Sequence, residues 1–559
     1  MKNNYNGFLN IYKEKGWTSM DVVAKLRGIL GMRKIGHAGT LDPMAEGVLP
    51  VALGRATKQI DPVTEGTKTY VCGMLIGTVT DTQDITGKTI SSLSDTEMSE
   101  LKSRWDVESE KNEEILRNIL KSFEGEYEQL TPMYSARKVN GRKLYEYARE
   151  GKEVERKKKK INIESIVIEK IDFPHVVMTV TCSKGTYIRT LCHDIGEKLG
   201  VSACMESLIR SRVGKFRIED ALKLSDIERL RDEGRIDEVL SIEADTAVAI
   251  GKFDGSHCGH RKLLKELIND AAAKKLRTCV VILDINKKNL NSPADRKKEL
   301  YELGIDYVIE LPFTEKLRNM GAEDFVRDIL VGRFRMKAIT AGPDISFGYN
   351  KEGNVELIKA LSEKYGYSVH IIDKLTEYNR EVSSSFIKEE LMKGNIERVN
   401  ELLGYNYSFT GKVVHGRHLG ETVLGFPTMN LIVDKNRVLP PFGVYAVKVF
   451  IYPDSMKKEN KDNSEAKVHY GIANLGLKPT VSDEPDYDPE RIDLETNVFD
   501  YSEDAYGKTI RVELISFIRP ERKFNSLEEV REQLLTKDIG KAREILGLAD
   551  SDESRDKNN

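Results

Sequence analysis

Apolar positions along the chain follow two periods, and the places where the pattern changes mark out its organisation. Up to about residue 240, the two-residue alternation of half-buried strands takes turns with the three-to-four spacing of amphipathic helices. The stretch "LSDIERLRDEGRIDEVLSIEADTAVAIGKFDG" then runs from a charged amphipathic helix into a new apolar strand, which predicts a boundary there. From Val248 the order is strand, Gly-rich turn, helix ("HRKLLKELINDAAAKK") and strand ("TCVVILDI"), the βα rhythm of a parallel sheet. From Tyr405 short strands alternate with Gly and Pro turns ("SFTGKVVHG", "GVYAVKVFIY", "TIRVELISFIRP"). That texture predicts a small β-barrel closed by a final helix, "SLEEVREQLLTKDIGKAREIL". The segments "PDSMKKENKDNSEAK" and "SDEPDYDPERI" read as polar hairpin insertions, and the tail "ADSDESRDKNN" as disordered. The expected fold class is a multidomain α/β chain with domains over 1–243, 244–404 and 405–547, and a tail over 548–559.

Length and charge narrow the picture. A chain of 559 residues exceeds what one core organises, in keeping with three domains. Lys+Arg of 87 against Asp+Glu of 90 leaves a formal charge of -3, so any nucleic-acid contact must be a local basic patch. The six cysteines (Cys72, Cys182, Cys192, Cys204, Cys258, Cys279) have irregular spacing and no CxxC pair, which reads as scattered reduced thiols and not as a disulfide or zinc framework. The first residues lack the apolar core of a signal peptide, and no run approaches the roughly 18 apolar residues of a membrane span. The expected location is cytoplasmic, with no membrane partner.

In "RKIGHAGTLDPMAEGVLPVALGRATK", Pro43 biases Asp42 away from helical backbone, and Gly36 and Gly39 let a substrate backbone come close. An Asp-Pro turn alone is more often only a turn. This run, however, resembles the loop of the tRNA pseudouridine synthase B family. The resemblance continues through "KTYVCGMLIGTVTDTQDITG", "QLTPMYSARKVNGRKLYEYAREG", "CSKGTYIRTLCHDIGEKLG" and "LIRSRVGKF", over nearly all of residues 7 to 240. It implies a mixed α+β pseudouridine-synthase domain that isomerises a T-loop uridine of tRNA without a cofactor. On that resemblance Asp42 is the nucleophile that frees uracil from N1 so that it rejoins through C5. Arg189 pairs with it as a bidentate fork that keeps it ionised. Tyr70 stacks on the extruded base, Tyr187 lines the pocket and His37 assists extrusion. Thr131-Pro132 stands where the family has Pro-Pro, which is expected to alter a loop but not the chemistry. The run Lys157 to Lys160 is either a solvated face or a phosphate contact. The family's further C-terminal RNA-binding piece is expected to be absent, because the chain passes almost at once into its second module.

Towards the C-terminus, Thr428 and Asn430 stand two apart in "GKVVHGRHLGETVLGFPTMNLIVDKNRVLPPFGVYAV", so in extended backbone they share a face. A hydroxyl beside an amide oxygen suits Mg²⁺ and ATP phosphates, with Pro427 stiffening the approach and Gly425 leaving room. Glu495 and Asn497 repeat the spacing, and a buried-facing Glu495 could take the proton of an attacking alcohol. Together with "GIANLGLKPT" these motifs resemble bacterial riboflavin kinase over residues 405 to 547. The resemblance implies a β-barrel in which Thr428 and Asn430 bind MgATP and Glu495 activates the ribityl hydroxyl of riboflavin. The loop "GETVLGFPT" is one residue longer than the usual glycine loop.

Residues 246 to 403 resemble the FMN adenylyltransferase half that commonly accompanies this kinase, which implies a Rossmann-like nucleotidyltransferase α/β domain. "AIGKFDGSHCGH" carries an HxGH pattern that puts His257 and His260 at a helix mouth, where imidazoles and free backbone N–H groups can meet ATP phosphates. Ser384 and Ser385 belong to a serine run expected at the ATP and flavin site. Three departures surround that site: Lys252 for the usual Asn, "DINKKNLNSP" for a "PHP"-like turn, and Phe386 where an arginine is expected to hold triphosphate. A lost charge-assisted contact costs about 1.5 to 3 kcal/mol. Lys252 or Lys388 would restore only part of it. The expectation is tRNA pseudouridylation joined to Mg²⁺- and ATP-dependent riboflavin phosphorylation, with adenylylation of FMN to FAD reduced or lost. Its partners are then tRNA, riboflavin, FMN and ATP. The alternative makes the middle domain a scaffold and the front domain mainly an RNA-folding chaperone.

Overall fold

The computed structural model describes residues 5–135, 137–139, 141–284, 288–414, 428–453, 466–477, 491–522 and 526–548. The chain divides into two compact units, one of Met1–Asp245 with Glu310–Pro312 and Asp328–Arg335, the other of the remaining residues. Most of the two expected hairpin insertions and all but the first residue of the expected tail lie outside the described residues.

In the first unit a mixed sheet runs in the order Gly7–Lys13, Glu46–Leu53, Ala203–Val213, Lys68–Ile76, His175–Cys182, Lys158–Asp172 and Gly125–Leu130. Strands Ala203–Val213 and Glu46–Leu53 pair in parallel, whereas Lys68–Ile76 pairs antiparallel with both of its neighbours. The two-residue period does what it promised: Cys72, Met74 and Ile76 enter one core with Val176, Met178 and Val180. Helix Ile188–Leu199 presents Ile188, Leu191, Cys192 and Ile195 to that core, an i, i+3, i+4, i+7 stripe. It comes very close to the sheet, since a Cβ on Gly196 would lie 2.2 Å from the backbone nitrogen of Ala203.

The second unit begins with a five-stranded sheet in the order Tyr307–Pro312, Arg277–Asp284, Thr246–Gly251, Met336–Ala341 and Ser368–Ile371, parallel from Arg277–Asp284 through Ser368–Ile371. The central strands are continuous apolar runs, as burial on both faces requires. The chain leaves the middle strand through the Gly-rich turn and enters helix Cys258–Ala273, which starts two residues earlier than the predicted helix because His257 caps it. Six antiparallel strands follow in the order Ser408–Lys412, Thr509–Pro520, Gly443–Ile451, Lys467–Leu477, Ile492–Val498 and Thr428–Val433. A bridge between Val414 and Asn430 brings the two ends together into a near-closed barrel. The barrel interior (Met429, Leu431, Tyr445, Leu514) is one core with Phe386, Leu391, Val399 and Leu403 from helices Ser384–Met392 and Ile396–Leu403. The final helix is interrupted by a π-helical turn, Leu534–Asp538, at which buried Asp538 turns to take Arg519 at 2.8 Å.

Replacing Gly196 with Ala is expected to push helix Ile188–Leu199 off the sheet at a cost of about 1 to 3 kcal/mol. Hydrogen–deuterium exchange should quicken in that helix and its partner strand; unchanged protection there would refute the close packing.

Candidate active sites

Asp42 sits on a loop whose backbone is fixed from several sides. Ser19 meets both polar groups of the Leu41 backbone, at 2.9 Å from its N–H and 3.3 Å from its carbonyl. The wholly buried ammonium of Lys13 donates to the carbonyls of Trp17 (2.6 Å) and Pro43 (3.3 Å), and burial pushes its pKa down to about 8. From the opposite side Arg210, 1% exposed, donates to the carbonyls of Val48 (2.8 Å), Gly39 (3.1 Å) and Thr40 (3.4 Å). The Asp42 carboxylate itself is 38% exposed and lies 3.3 Å from Nη2 of Arg189. That nitrogen also donates to the carbonyl of Tyr134 at 2.6 Å, and Nη1 faces buried Asp84 at 3.6 Å. Arg189 is thus not given over to Asp42 alone, as the expected fork would be; its charge is divided between two carboxylates. Asp84 in turn accepts from Thr82 (2.9 Å) and from the backbone N–H of Thr86 (3.0 Å).

The other front-site residues gather on the same elements. Tyr187 caps helix Ile188–Leu199, accepts at its carbonyl from the Gln129 side-chain amide and donates its N–H to Oε1 of the same side chain, and lies with its ring 6.0 Å from the Arg189 guanidinium. Tyr70 is buried directly across the sheet from Arg210, with its hydroxyl bonded to that guanidinium, and burial raises its pKa. His37 is half-buried, and burial and the charge of Arg210 push its pKa down, favouring neutral imidazole. Arg210 and Asp84 were both missed from sequence. For Arg210 a signal existed, an arginine two residues from Leu208 where the strand's alternation calls for a buried side chain, although Glu206, Ser207, Ser211 and Arg212 make the strand mixed in character. Asp84 had none, because its neighbours are ordinary turn residues.

At the barrel, the two pairs of residues spaced two apart are cross-strand partners: Thr428 faces Asn497 and Asn430 faces Glu495. All four share one face, because Met429, Leu431 and Leu494 fill the other. Asn430 is 1% exposed, and among the described residues its Oδ1 has no hydrogen-bond partner; the same holds for Nδ2 of Asn497. Glu495 is exposed, not buried-facing as expected, because it lies at the open side of this face. A shallow pocket lined by Val413, Thr428, Tyr501, Asp504 and Tyr506 adjoins it. Gly425, Pro427 and the rest of "GETVLGFPT" before Thr428 lie outside the described residues.

In the middle domain His257 and His260 stack at 3.7 Å at the start of helix Cys258–Ala273, and Nδ1 of His257 accepts from the backbone N–H of His260. Burial pushes His257 down to about 4 and His260 well below the ordinary histidine range, so both rings are neutral near pH 7. Ser384 donates to the carbonyl of Asp254 at 2.8 Å and so supports the turn, while Ser385 is exposed one residue along. Phe386 is 3% exposed in the apolar core, under the guanidinium of Arg380 at 4.3 Å. The sequence reading put position 386 at the triphosphate; in the structure its side chain points into the core. The cation on this helix is Lys388, whose ammonium is ion-paired to Asp254 at 2.6 Å.

Four family models match the chain. They are TruB family pseudouridylate synthase (N terminal domain) over residues 27–188, tRNA pseudouridylate synthase B C-terminal domain over 189–249, FAD synthetase over 240–386 and riboflavin kinase over 403–546. The second match stands against the expectation that the family's C-terminal piece is absent. The tRNA pseudouridine synthase B of Clostridium kluyveri is 47% identical over 238 residues, covering 43% of this chain and 76% of that protein. That of Lactococcus lactis subsp. lactis is 43% identical over 247 residues, 43% of this chain and 71% of that protein. That of Clostridium perfringens (strain 13 / Type A) is 43% identical over 283 residues, 50% of this chain and 85% of that protein. The two flavin domains support phosphorylation and adenylylation with ATP and do not favour the scaffold and chaperone alternative. Among the described residues no helix is long and apolar enough to cross a membrane. With a relative this similar covered over three quarters of its length, the chain belongs to the tRNA pseudouridine synthase B family, joined in one polypeptide to FAD synthetase and riboflavin kinase domains.

Proposed function

We propose that Asp42 is the nucleophile of tRNA pseudouridylation in a domain spanning 1–243, that FMN is adenylylated in 244–404, and that riboflavin is phosphorylated in 405–547. The observation that carries the first assignment is a partly exposed carboxylate held 3.3 Å from a buried guanidinium. Arg189 keeps Asp42 oriented and favours its ionised form. The ionised carboxylate bonds to the sugar carbon and displaces uracil at N1; the freed ring turns, its C5 bonds to that carbon and displaces the carboxylate, and the C5 proton is lost while N1 gains one. Tyr70 and Tyr187 receive the extruded base and His37 assists its exit. The basic residues Lys157, Lys158 and Lys160 are exposed beside this domain's sheet and suit phosphate contact.

For the kinase, the buried Oδ1 of Asn430, left without a partner among the described residues, fits an oxygen ligand for Mg²⁺, and the neighbouring Thr428 hydroxyl completes a hard-donor pair. Mg²⁺ held there would neutralise phosphate charge; Asn497 fixes the face, and Glu495, at its solvent side, takes the proton of the ribityl hydroxyl. In the middle domain His257 and His260 meet ATP phosphates as neutral donors at the helix start. Substrates of these three kinds are consistent with a cytoplasmic location.

Mapping of pseudouridine in tRNA should show T-loop modification that Asp42→Asn abolishes, while Arg189→Lys lowers the rate about 10- to 100-fold by removing a charge-assisted contact. Modification surviving in the Asn variant rules out the nucleophile. Conversion of riboflavin to FMN should fall by at least about 100-fold in Glu495→Gln, the usual scale for losing a general base, and an undiminished kcat would exclude Glu495 from that role. Because the fold holds His257 near 4 while an unfolded histidine titrates near 6.5, the unfolded state takes up a proton first as pH falls. The second unit should therefore lose stability as pH drops from about 6.5 to about 4, and His257→Gln should flatten that part of its melting profile.

A further inference from the structure

We infer that Arg437 and Tyr405, both at the kinase end of the chain, are positioning residues for adenylyl transfer in the middle domain. The inference rests on the adenylyltransferase reading given above. Leu290 follows strand Arg277–Asp284 at its carboxyl end, the edge at which open α/β sheets take their ligands. Its peptide groups are gripped from two directions. The N–H of Leu290 donates to Oδ1 of Asp254 at 2.7 Å, within the turn that leads to His257. The carbonyl of Leu290 accepts from Nε (3.0 Å) and Nη2 (2.6 Å) of Arg437. The remaining nitrogen of that guanidinium donates to the carbonyl of Ser408 at 2.8 Å, and the rings of Tyr407 and Phe409 lie 4.8 and 4.7 Å away. Arg437 is 6% exposed, so its fork is set by packing as well as by hydrogen bonds. Backbone bonds on either side, Asn289 N–H to Asn436 (3.2 Å) and Val438 N–H to Asn289 (2.9 Å), fix the same loop.

Tyr405 supplies a second hold. Its hydroxyl donates to the carbonyl of Gly255 at 2.7 Å and accepts from Asn291 at 3.0 Å. The turn needs such holds. Phe253 and Ser256 have φ of 46° and 34°, a region that non-glycine residues keep only when their surroundings over-determine it. Releasing Leu290 or Gly255 lets the turn relax, and with it the cap of helix Cys258–Ala273 and both histidines. Neither Arg437 nor Tyr405 lies on the strands that carry Thr428, Asn430 and Glu495, so riboflavin phosphorylation is spared.

The test uses the full-length protein, with FAD formed from FMN, ATP and Mg²⁺ and FMN formed from riboflavin and ATP measured side by side. Arg437→Met should lower the adenylylation kcat about 10- to 100-fold, the cost of a misplacement of about 1 Å, with riboflavin phosphorylation within about twofold of wild type. Arg437→Lys should recover part of the loss, and Tyr405→Phe, which keeps the ring and its packing, should fall in the same direction. A merely structural role would lower both activities together. If Arg437→Met fails to fold, Tyr405→Phe decides alone. A wild-type protein that makes no FAD sinks the adenylyltransferase reading itself. A wild-type protein that makes FAD, with both variants matching its kcat and KM, overturns this inference and leaves that reading intact.

Discussion

Arg210 donates from a fully buried guanidinium to the carbonyls of Gly39, Thr40 and Val48, and the form of the Asp42 loop follows from the need to satisfy it. A guanidinium cannot shed its charge in a protein, and its donors are expensive to bury unmet. Two of its three carbonyl acceptors, those of Gly39 and Thr40, belong to the peptides just before Asp42. Their carbonyls therefore turn inward, and the Asp42 side chain is left facing the solvent side, where Arg189 meets it. Lys13 does the same to the carbonyl of Pro43 from the other end. The Asp42 loop is thus held by two buried cations that act on its backbone. Burial, and with it the charge of Arg210, explains why neutral imidazole is favoured at His37.

The barrel shows the complementary case. There the buried polar atoms near the proposed chemistry, Oδ1 of Asn430 and Nδ2 of Asn497, lack partners among the described residues. Buried groups are nearly always paired in a folded chain, so groups left open on one face of a strand pair are the ones a ligand can complete. At Arg210 and Lys13 the buried donors are spent on backbone carbonyls and fix the chain, whereas on the barrel face Asn430 and Asn497 keep polar atoms open.

How much of this could be read from sequence depends on whether the determining contact is local. The spacing of Thr428 with Asn430 and of Glu495 with Asn497 gave their shared faces, because strand period is a property of the backbone itself. That the two pairs oppose each other is a matter of register between strands some sixty residues apart, which no local pattern encodes. The exposure of Glu495 follows from that register and could not be foreseen. Asp42, Tyr70 and Arg189 were legible only through motif resemblance; their meeting depends on a helix packed across Gly196. Phe386 was misread for the same reason. A serine run precedes it, but the first turn of helix Ser384–Met392 directs it, with Ile387, into a core made largely of residues far away in the chain.

The cation question in the middle domain can now be posed in terms of individual atoms. Lys388 looked able to replace a missing arginine, but its ammonium lies 2.6 Å from Asp254 and 2.8 Å from the carbonyl of Lys288. Moving it to a phosphate would strand a carboxylate that is 4% exposed, and an uncompensated buried charge is costly. Lys388 therefore holds the turn, in the same network as Leu290 and Arg437. In the proposed site the positive ends facing phosphate are then the first N–H groups of helix Cys258–Ala273 and the exposed Lys252. Lys252 stands one residue past the central strand. On the proposed reading the charge that meets triphosphate is on the glycine-rich turn itself, and the downstream helix keeps that turn in place through Ser384 and Lys388.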